Sequence, residues 1–294
     1  MIGYILAIGA AATWSMVALS ATRIVRYFGS YNYNLLRLLG IIVLFLPYIV
    51  INWDPIYFSK SVFIAIFLSS VIGIIIGDTF LFVCLKRLGP RRQALLFSLQ
   101  IPFTIILAEI FLQTLPSMVE LFGCFLIFFG IIVAIQFNRT IPDDDLENIQ
   151  GNKYIGLFAG VGLALCQAIG IILMKPALTS TDPIIVSYLR VIVAAIIMFM
   201  SLFFIKNNQL WERMKDLKKT FYSIFLGFMG MGVGMTMLII ALKNGDPGII
   251  STLSSTMPIM IIPILWIVTK NYAGHLAVIG ATLTCFGAGV IFLN

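Results

Sequence analysis

Charge is what this sequence has least of. Charged residues make up 11% of its 294 positions, against about a quarter in an average soluble domain. A water-soluble fold of this length needs polar side chains to cover its surface, and the chain lacks them. Histidine occurs once, at His275. Cysteine occurs four times, at Cys84, Cys124, Cys166 and Cys285, with no CxxC pair and always within or beside apolar runs. These read as buried thiols, not as disulfides or metal ligands. No phosphate loop of the form GxxxxGK[ST] is present, and no HExxH. No polar stretch is long enough to make an ATP-hydrolysing domain, so no cofactor is expected and catalysis is disfavoured. The chain begins Met1-Ile2-Gly3-Tyr4 without a basic leader, and its first apolar run is read as a spanning helix instead of a cleaved signal.

Hydrophobic residues fill the space left by charge. They account for 61% of the chain, and the mean hydropathy is +1.06. A helix needs about 20 mostly apolar residues to cross a bilayer. Ten runs qualify: Ile2–Thr22, Tyr31–Ile51, Val62–Cys84, Ala94–Leu115, Met118–Phe137, Tyr154–Met174, Pro183–Ile205, Phe221–Leu242, Ile249–Val268 and Leu276–Leu293. They are continuously apolar, which excludes the alternating pattern of barrel strands. The expected fold is an all-α membrane protein with ten transmembrane helices and the lipid bilayer as solvent. The net charge of +7 is spread over short loops, as on the cytoplasmic face of a membrane protein, and not gathered into a nucleic-acid footprint.

The polar stretch 138–153 divides five runs from five, and the halves correspond. An offset of 153 carries Gly3 to Gly156, Gly9 to Gly162 and Leu36-Arg37 to Leu189-Arg190. An offset of 157 carries Gly73 to Gly230, Gly77 to Gly234, Leu85-Lys86 to Leu242-Lys243, Ser98 to Ser255, Gly123 to Gly280 and Gly130 to Gly287. Five is odd, so the second unit enters the membrane from the opposite side. The expected units are residues 1–137 and 154–294, two inverted five-helix repeats joined by a linker at 138–153, an architecture shared by many secondary transporters. The paired glycines read first as close helix contacts, because in lipid small residues permit the backbone approach that dispersion rewards.

Two five-helix repeats, an arginine early in each second helix, and the turns "CLKRLGP" and "ALKNGDP" after each third helix resemble the drug/metabolite transporter superfamily, and within it the ten-helix EamA-type carriers. That resemblance covers the whole chain. It implies a cavity among the first, third and fourth helices of each repeat and leans toward export of amino acids, related metabolites or drugs. Many relatives carry a Gly-Glu pair at the end of each fourth helix. Here those positions read Leu112-Gln113-Thr114 and Thr269-Lys270-Asn271.

Polar side chains at membrane depth are costly and mark candidate sites. Arg37 and Arg190 lie at equivalent positions about 10 Å into their helices at 1.5 Å per residue. Each either reaches the headgroups or a loop carbonyl, or anchors an anionic group through its forked guanidinium. Asp78 has Met235 as its counterpart. It and Glu109, late in the fourth helix, are candidates to bind a proton or a cationic group, or to pair with a basic residue such as those in Lys86–Arg92. Trp14 and Gln167 correspond at the centre of each first helix, where each needs a partner for its polar group. Gln100 adds an amide in the fourth helix. Ser255 sits in the hydroxyl-rich stretch Ser251, Thr252, Ser254, Ser255, Thr256, whose hydroxyls alternatively bond the carbonyl four residues back. The expected substrate site is therefore Trp14, Asp78, Gln100, Gln167 and Ser255, with Glu109, Arg37 and Arg190 as coupling or anchoring charges.

A secondary carrier of small polar or amphipathic metabolites, driven by a proton gradient or by counter-substrate exchange, fits these features. A channel and a membrane-embedded enzyme are the alternatives. Fourteen of the nineteen Lys and Arg lie in odd-numbered connections, and only Lys60, Lys175 and Lys243 in even ones. Basic residues resist translocation, so both termini are expected outside the cytoplasm of a cell membrane.

Overall fold

The computed structural model describes residues 2–51, 60–112, 115–136, 146–178, 183–205, 209–244, 247–270 and 274–293. Several expectations lie outside them: the acidic run Asp143–Asp145, the basic Arg139 and Lys206, and Gln113, Thr114 and Asn271.

Among the described residues, ten helices are long and apolar enough to span a membrane: α1 Ile2–Phe28, α2 Ser30–Ile51, α3 Lys60–Leu88, α4 Pro90–Phe111, α5 Met118–Ile135, α6 Lys153–Leu173, α7 Ile184–Phe204, α8 Leu217–Leu238, α9 Ile249–Thr269 and α10 His275–Phe292. Helix is the expected outcome for such runs, since each backbone N–H and C=O is then satisfied within its own segment. The lipid face is rich in large apolar side chains, among them Phe63, Phe125, Phe158 and Phe286.

Four helices depart from α geometry along their length, in pseudo-equivalent pairs, and α7 tightens to a 3-10 turn at its end, Leu202–Phe204. α3 passes through a π-helical segment at Ser70–Gly77, and α8 through one at Phe228–Gly234. Each ends on the second glycine of its GxxxG, Gly77 or Gly234. π-segments widen the turn and occur often at functional sites. α4 is interrupted between Phe97 and Gln100, and α9 between Ser254 and Met257. Ser98 and Leu99 there bond back three residues instead of four, to Leu95 and Leu96. Pro102 and Pro258, just beyond the breaks, cannot continue the ladder because they have no N–H.

The first helix of each repeat packs on the third and fourth helices of the other repeat. α6 lies against α3 and α4, and α1 against α8 and α9. The small residues that allow this match one for one. A Cβ on Gly156 would lie 2.6 Å from Leu88 Cγ, and one on Gly3 would lie 3.0 Å from the Ala241 carbonyl oxygen. Gly162 faces Phe80 as Gly9 faces Met237, and Gly170 faces Gly73 as Val17 faces Gly230. The fifth helices pair with each other. α5 and α10 run so close that a Cβ on Gly130 would meet the Gly280 carbonyl oxygen at 2.6 Å.

One end of the bundle is tied by the described part of the linker. Glu147, 3% exposed, accepts from Arg91 Nε at 3.0 Å and from the Arg91 backbone N–H at 3.2 Å. Arg92 donates to the Glu147 carbonyl at 2.8 Å and lies 3.6 Å from its carboxylate. Arg26 donates to the carbonyls of Leu146 and Asn148. The α3–α4 turn that receives this segment holds Gly89 at φ +84°, where a Cβ would lie 2.6 Å from the Leu146 carbonyl oxygen.

Candidate functional site

The polar side chains that converge at membrane depth come from α2, α3, α6 and α7. Asp78 is the first residue after the π-segment of α3, ten residues from Leu88, or roughly 15 Å into the bilayer at 1.5 Å per residue. Its carboxylate is buried and takes two different donors. Arg37 of α2 forms a close ion pair with Oδ2. Gln167 Nε2 of α6 donates to Oδ1 at 2.8 Å and to the Gly73 carbonyl at 3.3 Å. Asn34, one turn before Arg37 on the same face of α2, accepts from Arg37 Nε at 3.1 Å. Its amide donates to the Ile74 carbonyl at 3.1 Å and to Thr79 Oγ1 at 3.2 Å. The Arg37 guanidinium also lies over the Phe82 ring, 4.9 Å from its centroid.

Arg190 reaches the same stretch of α3 from the opposite side of the membrane. Its Nη2 donates to the Ser69 carbonyl at 3.0 Å and lies 2.8 Å from where a Gly73 Cβ would stand. Without a side chain at Gly73, the guanidinium can lie against the π-segment and bond the carbonyl just before it. Thus two pseudo-equivalent arginines serve one repeat. Arg37 holds the carboxylate, and Arg190 holds the backbone nine residues earlier, at Ser69.

Of the expected site residues, Asp78, Gln167, Arg37 and Arg190 come together. Asp78 pairs with Arg37 and not with Lys86–Arg92, whose arginines engage the linker. Among the described residues, Arg37 turns to Asn34, Asp78 and the Phe82 ring and not to a loop carbonyl. Trp14 lies outside the cluster, where its Nε1 donates to the Gly230 carbonyl at 2.8 Å. Gln100 is the first residue beyond the α4 interruption and half-buried. Ser255 lies in the α9 interruption, and its hydroxyl bonds back to the Ser251 carbonyl at 2.7 Å. Glu109 is exposed near the far end of α4, away from Asp78. Asn34 was not anticipated, and its only signal in the sequence is its place three residues before Arg37.

A cavity of about 30 Å³ lies between α2, α7 and α8, where Ile41 and Phe45 of α2, Tyr188 and Val191 of α7, and Met231 and Met235 of α8 are among its lining residues. That is room for a water or two. It is mostly apolar, and Met235 is the counterpart of Asp78.

A ten-span bundle with inverted repeats, interrupted helices and an ion pair at mid-depth defines a multi-pass membrane transporter. The chain belongs to the EamA-like transporter family, whose model matches residues 1–136 and 154–293, within the drug/metabolite transporter superfamily. Members of that family are transporters and not enzymes. No curated protein matches the sequence. A solved crystal structure aligns over 99% of this chain and 96% of its own, with a TM-score of 0.59 and 14% identity. At that identity the likeness concerns the fold alone.

Proposed function

We propose that this transporter is a secondary carrier for small polar or amphipathic metabolites, with zwitterions of the amino-acid type the best fit, working by alternating access. The Arg37–Asp78 ion pair carries this reading. A monovalent ion that binds one partner leaves the other charge buried and unpaired, which costs several kcal/mol. A ligand bearing both a carboxylate and an ammonium replaces each partner with the other's equivalent and leaves no charge uncompensated. Arg37 would take the carboxylate through its fork, while Asp78 and Gln167 would take the ammonium. Arg190 is a second guanidinium within the same group. Gln100 and Ser255 stand at the interruptions of α4 and α9, and broken helices are where transporters commonly expose backbone to substrate.

Direction and energy source follow from the same reading. The family resemblance favours export. A proton gradient or exchange against a second substrate would drive the cycle. The location is a cell membrane, and the excess of basic residues in odd loops puts both termini on the non-cytoplasmic side.

A thermal-shift series on purified protein tests the ligand class. Zwitterionic amino acids should raise the melting temperature in a saturable way, and Asp78→Asn should abolish the effect. Equal stabilisation by simple amines or simple carboxylates, or none by any zwitterion, would overturn the ion-pair exchange.

A further inference from the structure

Trp14 and Gln167 are equivalent residues whose chemistry differs, yet the structure gives them the same acceptor. Trp14 Nε1 bonds the Gly230 carbonyl in the π-segment of α8. Gln167 Nε2 bonds the Gly73 carbonyl in the π-segment of α3. Gly73 and Gly230 are themselves equivalent at the 157 offset. Each first helix therefore reaches into the other repeat and donates one N–H to the same point of its partner's π-segment. Around each bond the packing repeats as well. A Cβ on Gly234 would lie 2.5 Å from Trp14 Nε1, and one on Gly77 would lie 3.1 Å from Cys166 Cβ and 3.6 Å from Gln167 Nε2.

We propose that Trp14 and Gln167 are paired positioning residues that lock each first helix onto the π-segment of the other repeat, so that the bodies that move during transport are α6 with α3 and α4, and α1 with α8 and α9. The units that rock are then not the two sequence repeats. Each contains a helix borrowed from the other. Further contacts hold each borrowed helix. α6 is tied through the linker, where Gln150 N–H bonds the Arg87 carbonyl at 2.9 Å, and through Gly160, whose Cβ would meet Leu96 at 2.4 Å. α1 is tied through Ser15, whose hydroxyl lies 3.4 Å from the Met257 carbonyl oxygen, and through Gly3 against Ala241 and Asn244.

The two locks differ in one respect. Trp14 has a single N–H and it is fully used. Gln167 divides its amide between Gly73 and Asp78. Release of Asp78 to a ligand therefore changes what Gln167 holds, whereas nothing at the ion pair reaches Trp14. This makes the α6 lock responsive to the site and the α1 lock a fixed pivot. That consequence rests on the proposed role of Asp78, whereas the pairing of helices does not.

Hydrogen–deuterium exchange on the full chain in nanodiscs tests the pairing without any ligand. Gln167→Met, a substitution in the second repeat, should speed exchange across residues 70–77 of the first about fivefold, the loss of roughly 1 kcal/mol of hydrogen bonding. It should leave residues 228–234 unchanged. Trp14→Phe, in the first repeat, should do the reverse. The two variants are independent, so if one does not fold the other still decides. Loosening of the variant's own repeat, of both segments equally, or of neither would overturn the proposal. The carrier reading does not enter this readout, so its failure would appear separately, in the ligand-binding series.

Discussion

The Arg37–Asp78 pair is buried on both sides, with side chains 12% and 10% exposed, and it should behave as a coupled unit. Removing one partner strands the other charge at membrane depth, a cost of about 3–5 kcal/mol for a buried pair in a soluble protein. Asp78→Leu leaves Arg37 with Asn34 and the Phe82 ring, which offset part of that cost but supply no counter-charge. Arg37→Met leaves Asp78 with the Gln167 amide and the more distant charge of Arg190. The double variant Arg37→Met/Asp78→Leu removes both charges and fills the space with apolar atoms. Such replacements are often neutral or stabilising. Each single variant should therefore lower stability by several kcal/mol, and the double variant should recover most of it, giving a coupling energy of at least ~2 kcal/mol. Unfolding equilibria in mixed micelles provide the measurement. Transport should follow a different order, with all three variants inactive. Asp78→Asn, which keeps an acceptor for Gln167, should stay folded and transport poorly. A double variant whose loss equals the sum of the single losses would refute the coupling. Full transport by Asp78→Asn would confine Asp78 to a structural role.

Three further outcomes follow. Glu147→Gln should lower stability by roughly 3–5 kcal/mol, since two buried arginines lose their shared carboxylate; proteolytic nicking of the linker should accelerate in parallel. Lys270→Gly should raise stability by about 1 kcal/mol in thermal unfolding, because Lys270 closes α9 at φ 58°, a conformation glycine adopts without the Cβ penalty. For orientation, a C-terminal reporter that works only in the cytoplasm should stay silent while one that works only outside is active; the reverse result would show that the loop charges mislead.

The fold was legible because its two strongest signals are linear in the chain. Continuous apolar runs mark the spans, and constant offsets mark the repeat. The equivalence Gly3 to Gly156 and Gly9 to Gly162 reappears as equivalent packing against α8 and α3. The α3 and α8 π-segments were not legible, because nothing in the sequence separates a wide turn from an α turn within an apolar run. The interruptions of α4 and α9 had a signal in Pro102 and Pro258, but one that also fits an unbroken kinked helix.

The candidate site was legible in its residue types and not in its partners. Asp78, Arg37, Arg190 and Gln167 stand out as polar groups in apolar runs. That Asp78 turns to α2 instead of to the basic turn ten residues on depends on how helices from both repeats interleave, and no local pattern encodes that. Trp14 shared a repeat position with Gln167 and was grouped with it for polarity. The shared feature is instead the glycine carbonyl each one holds. The Arg91, Arg92 and Glu147 contacts join residues more than fifty positions apart, beyond the reach of any motif.

Counterflow in proteoliposomes bears most directly on the carrier reading. Vesicles loaded with an unlabelled zwitterionic amino acid that passes the thermal-shift series, then diluted into its labelled form, should accumulate label transiently above equilibrium. Arg37→Met and Asp78→Asn should each abolish the overshoot. Uptake of label that is the same in loaded and empty vesicles would contradict a carrier and point to a channel.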